Sequence, residues 1–98
     1  MHSSKSVGLL VLHLRIPGCR SLKEKRSRLK PLLARLHKEF NISAAEIDDL
    51  DSWQSAQIAC VLVSNDPAFT QRALQAVVEW VETHWLDLEV ENDVLELL

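Results

Sequence analysis

The side chains with most chemistry within reach of one another crowd into one short run: Gly18, Cys19, Arg20, Ser21, Lys23, Lys25, Arg26, Arg28 and Lys30. A cysteine among cations can hold a depressed pKa and act as a nucleophile. That chemistry also needs a base, and no histidine lies near Cys19 in sequence. The cations suit a different task. A helix start offers free N–H groups and the positive end of the helix dipole, where phosphate binds readily. Arg20, Ser21, Lys23, Lys25, Arg26, Arg28 and Lys30 are therefore the candidate anion- or nucleic-acid-binding set. Glu24 is a local competitor for them. Cations gathered at a helix start also oppose the dipole, a cost that a bound anion offsets.

Other chemistry finds no footing. His2, His13, His37 and His84 lack metal-ligand spacing, so no metal site is expected. Glu46, Asp48, Asp49 and Asp51 cluster around a turn, but without the glycine and final glutamate of a calcium loop. They read as a solvated acidic hairpin. Gly8 and Gly18 are the only glycines, which excludes a Walker A loop, a G-x-G-x-x-G turn and a KH-type GXXG clamp. Cys60 falls on the apolar face of a strand pattern and reads as a buried structural thiol. No catalytic residues and no cofactor are expected. Two cysteines without a C-x-x-C fit a reducing compartment. The run from Val7 to Leu12 is too short to span a bilayer, and no cleavage site follows it. The expected location is cytoplasmic.

Charge is unevenly spread. Residues 1–38 hold ten Lys or Arg against one acid, and residues 39–98 hold one base against thirteen acids. The halves carry +9 and −12, which together give the net −3. Such asymmetry points to an anionic partner or to halves that neutralise each other, within the fold or across a dimer.

The elements that must position these groups follow from periodicity. Ninety-eight residues, 47% hydrophobic and 26% charged, make one domain over the whole of 1–98. After a loose polar start at 1–5, Val7 to Ile16 alternates as a strand. Leu10, Leu12, Leu14 and Ile16 lie on one face, and Pro17-Gly18 ends it. Ser21 and Glu24 form a capping-box pattern that opens a helix. Leu22, Leu29, Leu32, Leu33, Leu36 and Phe40 make its apolar stripe. Lys23, Arg26 and Lys30 fall on one side of the stripe; Arg28, Arg35 and Lys38 fall on the other; Lys25 lies near the stripe edge. Pro31 kinks this helix or marks a restart. Residues 42–49 and 53–64 are strands joined by an acidic turn. Asp66-Pro67 starts a second helix that runs to about His84, with Phe69, Ala73, Ala76, Val77, Trp80 and Val81 as its apolar face. A last strand alternates from Leu86, with a turn expected at Asn92-Asp93.

The order β-α-β-β-α-β specifies an α+β, ferredoxin-like split sandwich. Right-handed crossovers put both helices on one face of a four-stranded antiparallel sheet. The first and third strands are central. Leu9, Val11, Val61 and Val63 then form an apolar strip on the opposite face, which homodimerisation through that face would cover.

The run Pro17-Gly-Cys-Arg-Ser-Leu-Lys-Glu-Lys-Arg26 resembles the signature of the YlxP-like family, small bacterial proteins of unknown function. Phe40-Asn41-Ile42-Ser43 with Ala45-Glu46, Asp51 with Trp53-Gln54, and Val63-Ser64-Asn65-Asp66 extend the resemblance over nearly the whole chain. It implies a ferredoxin-like fold. Family genes often neighbour those of translation initiation and ribosome maturation, so it also implies a link to RNA or the ribosome. Pro31 and the acid-rich end after Asn92 depart from the family pattern. The expected function is a non-catalytic binding module, RNA- or ribosome-associated through the first helix. The alternative is a protein–protein or self-assembly module without a nucleic-acid partner. A sheet reading bases as RRM domains do is not expected, because the outer faces of the central strands carry no aromatic side chain beyond Trp53 at the margin.

Overall fold

The computed structural model describes residues 5–98. Residues 1–4, including His2 and most of the expected polar start, lie outside the described residues. The chain runs β1 (Ser6–Arg15), α1 (Leu22–Glu39), β2 (Ser43–Asp48), β3 (Ser55–Ser64), α2 (Pro67–His84) and β4 (Glu89–Leu97). The strands form one antiparallel sheet in the order β2-β3-β1-β4. This is the ferredoxin-like arrangement that the order of motifs specifies.

Alternation in β1 and β3 divides the sheet into two faces. Leu10, Leu12, Leu14, Ala56, Ile58, Cys60 and Leu62 are buried beneath both helices in a single core. α2 packs over β1 and β4, and α1 lies over β2. At one point α2 comes so close to β1 that only glycine fits. A methyl group on Gly8 would overlap Thr70 Cγ2 and sit 2.6 Å from Leu74 Cδ1.

Three expectations need correction. The buried residues of α2 are Thr70, Leu74, Val77, Val78 and Val81, whereas Phe69 and Ala76 are exposed. Leu74 and Val78 turn inward because α2 lies across β1, β3 and β4 together. β4 runs unbroken through Asn92-Asp93 from Glu89, and Leu86 is exposed before it. A register shift opposite His13/Leu14 absorbs Glu91 as a bulge, so no turn forms there. Finally, Pro31 sits within a continuous α1. It lies on the exposed side, as does Ser27, whose carbonyl would otherwise have accepted from residue 31. Water can take that carbonyl, so the helix carries the proline without ending.

Candidate functional site

The entry to α1 is built by backbone geometry. Pro17 and Gly18 occupy the central positions of a tight turn closed by Cys19 N–H donating to the Ile16 carbonyl (3.3 Å). Gly18 has φ +72°, the left-handed conformation that this turn type demands at its third residue. Ser21 then caps the helix, its Oγ accepting from Glu24 N–H at 3.0 Å. The capping box is only half formed, because the Glu24 carboxylate lies 3.7 Å from Arg28 instead. Cys19 is fully buried, with Sγ donating to the Ser21 carbonyl (3.4 Å). A thiol so enclosed meets no substrate.

The seven candidate residues separate into two groups. Ser21 is occupied as the cap. Lys25 leaves the anion-binding set. It is 1% exposed, its Nζ 2.8 Å from Glu46 Oε2 and donating to the Asp49 carbonyl at 2.7 Å. The contact with Glu46 is ionic rather than a directed hydrogen bond, since Oε2 has no well-aligned donor. Asp49 takes φ 60°, which Asp tolerates better than most residues, as it presents this carbonyl. The spacing of Lys25, Leu29, Leu32 and Leu36 is that of one buried stripe. Lys25 occupies its interior rather than its edge because Glu46 faces it from the core side of β2. Arg28 is also engaged. Its guanidinium donates to the carbonyls of Pro17 (2.9 Å) and Asp87 (2.7 Å), with the Asp87 carboxylate 3.6 Å away. It ties the entry of α1 to the segment after α2.

Arg35 continues that engaged side. It pairs with Glu39 at 3.1 Å and lies over the Trp80 ring at 5.4 Å. Trp80 in turn meets Phe40 edge-on at 6.0 Å and stacks on His84 at 4.9 Å. This aromatic cluster locks the C-terminal half of α1 to α2.

Arg20, Lys23, Arg26 and Lys30 remain exposed, without a side-chain hydrogen bond or ion pair among the described residues. The last three share one side of α1, opposite Arg28 and Arg35. His37, seven residues beyond Lys30, continues that side, and its Nε2 accepts from Ala44 N–H of β2 at 3.2 Å. The free cations therefore flank the β2 edge of the sheet. Among the described residues the surface has shallow depressions, such as one of about 260 Å³ lined by Phe40, Leu62, Phe69 and neighbours. No group of three or more His, Cys, Asp or Glu stands in metal-binding geometry among the described residues. No helix among them is long and apolar enough to cross a membrane.

Residues 7–93 match the family model described as protein of unknown function (DUF503). The chain belongs to this family. It is similar to the uncharacterised protein YlxP of Bacillus subtilis (strain 168), with 38% identity over 63 residues, 64% of this chain and 68% of the relative. The family match spans both helices and most of the sheet, so the α1 flank lies inside the shared domain. Sequence reasoning missed the long-range partners Glu46 and Asp87 and the edge contact of His37. The placement of Lys25 in a leucine register was the available signal for the first; nothing local marks the other two.

Proposed function

We propose that this protein is a non-catalytic binding module that takes the phosphate backbone of RNA, in a ribosome-linked setting, on the flank of α1 formed by Arg20, Lys23, Arg26 and Lys30. One observation carries the reading. The acidic second half of the chain neutralises Lys25, Arg28 and Arg35 through Glu46, Asp87 and Glu39, and it leaves this flank without an acid partner. Mutual neutralisation accounts for the engaged cations and not for these four. The resemblance to a family whose genes sit among those of translation supports RNA over other polyanions. Cations without stacking aromatics position a phosphate backbone and read little sequence.

The test is salt dependence. If about four phosphates of a single strand are neutralised, log K falls against log salt with a slope near −3. Replacing Lys23, Arg26 and Lys30 together by glutamine flattens that slope by about 2 and leaves the fold intact, since all three are exposed. Arg72→Gln, on the exposed side of α2, changes little. Co-sedimentation with ribosomal subunits at two salt concentrations, with RNA anisotropy titrations beside it, reads these outcomes. Unchanged association in the triple variant, or none in the wild type, rejects the proposal.

A further inference from the structure

The helices cover one face of the sheet, and no layer among the described residues covers the other. Strand registers set out that uncovered face in level rows across β2, β3, β1 and β4. One row reads Ala45, Ala59, Val11, Val94. The row on one side of it begins with Ser43 and ends with Glu96, and the row on the other begins with Asp48 and ends with Asn92. Apolar side chains fill the centre of two rows, with Leu9 and Val61 adjoining Val11 and Ala59, and Gln57 and His13 stand between Asp48 and Asn92 in the third. Val94 is 43% exposed and Val63 67%.

We propose that a second copy of this chain covers this face, related by a two-fold axis that runs along the strands between β1 and β3. Such a rotation keeps every row level and exchanges its two ends. β3 of one copy then lies over β1 of the other, and β2 over β4. In the middle row Val11 falls on Ala59 and Val94 on Ala45, large on small, which lets that row interdigitate; beside it Leu9 falls on Val61, an apolar contact, and His13 on Gln57, a polar one. Glu96 falls on Ser43 and Asp48 on Asn92, so each acid meets a neutral side chain that can donate to it. An axis across the strands, centred on the same row, sets Val11 on Val11 and Ala59 on Ala59. That crowds one half and leaves a gap in the other. The crossing of roughly 30° usual for packed sheets shifts only the outer strands, by about one residue.

The area is sufficient. The strands hold ten, six, ten and nine residues. At about 4.8 Å between strands and 3.4 Å per residue the footprint is roughly 570 Å² per copy, or 1,100 Å² for the pair. A specific interface needs about 1,000 Å². An isologous contact requires a patch complementary to itself, as this one is under the chosen axis. The α1 flanks end on opposite outer sides of the pair, so this proposal and the RNA reading stand or fall separately.

Sedimentation equilibrium on the full chain at micromolar concentration tests the contact. The wild type should show twice the mass of the chain, and a Val61→Lys, Val94→Lys variant that circular dichroism shows to be folded should show the mass of one. A flexible bis-maleimide reads the axis independently of those variants. A mixture of Val94→Cys and Ala45→Cys proteins should cross-link, and Val94→Cys alone should not, while Cys19 and Cys60 are fully buried and stay silent. A wild type of single-chain mass throughout, a folded double-lysine variant that stays dimeric, or Val94→Cys protein that links to itself would overturn the proposal.

Discussion

Removing Glu46 should destabilise the protein more than removing Lys25. Lys25 Nζ lies 2.8 Å from Glu46 Oε2, with side-chain exposures of 2% and 21%. At that distance and an effective dielectric near 20, the gross attraction is about 6 kcal/mol. Several kcal/mol of lost ammonium hydration oppose it, so the pair is nearly neutral against an apolar replacement. Breaking it from one side is not neutral. Without Glu46 the ammonium keeps only the Asp49 carbonyl, 2.7 Å away. A fully buried pair broken this way costs about 3–5 kcal/mol; the partial exposure of Glu46 admits water and lowers the expectation to about 2–3 for Glu46→Ala. Lys25→Met leaves a carboxylate that can hydrate through its open side and should cost about 1–2 kcal/mol, mostly the bond to Asp49. The double variant Lys25→Met, Glu46→Gln should lie close to Lys25→Met alone, a coupling of about 1.5 kcal/mol or more. Urea unfolding at neutral pH, followed by tryptophan fluorescence, measures all of these. If Glu46→Ala costs less than about 0.5 kcal/mol, or less than Lys25→Met, the ammonium is not buried against Glu46 and the reasoning fails.

Two further outcomes follow from the core. Gly8→Ala should cost about 1–3 kcal/mol, the usual penalty of overpacking, because the added methyl meets Thr70 and Leu74 of α2; the same urea assay checks it, and a neutral result would mean that α2 does not press on β1. Burial pushes the Cys60 thiol from 9.0 up to about 12. The folded protein then holds this proton more tightly than the unfolded chain. The resulting stability is complete below about pH 9 and is lost as pH rises towards 12, by up to about 1.4 kcal/mol per pH unit. The stability gap between wild type and Cys60→Ala should therefore narrow from about pH 8 to 10.5, and a constant gap would refute it.

Strong alternation made the sheet legible. Leu10, Leu12 and Leu14, like Ile58, Cys60 and Leu62, sit at period two between clear stops, and those stretches became the two central strands. The turn at Pro17-Gly18 and the cap at Ser21 are local devices, readable from adjacent residues. What the sequence concealed depends on distant partners. Leu74 and Val78 fall outside the apolar face that Phe69, Ala76 and Trp80 suggest for α2; the packing of that helix against three strands brings them inward. Asn92-Asp93 resembles a turn, yet pairing with His13 and Leu12 holds it extended. The candidate site was legible as a basic helix and illegible as a surface, since its division into engaged and free cations depends on Glu46 and Asp87, far away in sequence.

That division has a structural consequence. Lys25 is fixed to β2 by Glu46 and to the residue after that strand by the Asp49 carbonyl, and Arg28 is fixed to the other side by Pro17 and Asp87. A leucine stripe alone tolerates rotation of a helix about its own axis, because apolar contacts have no direction. Two polar anchors on opposite sides do not, since any turn lengthens one set of bonds. A buried ion pair adds little net stability, and its established use is to select one arrangement among near-equals. In α1 the selected arrangement is the one that turns Lys23, Arg26 and Lys30 out along the β2 edge. Lys25→Met should accordingly loosen the aim of that flank more than it weakens the fold. Lys25 would then serve the proposed RNA surface by positioning it, without touching the ligand.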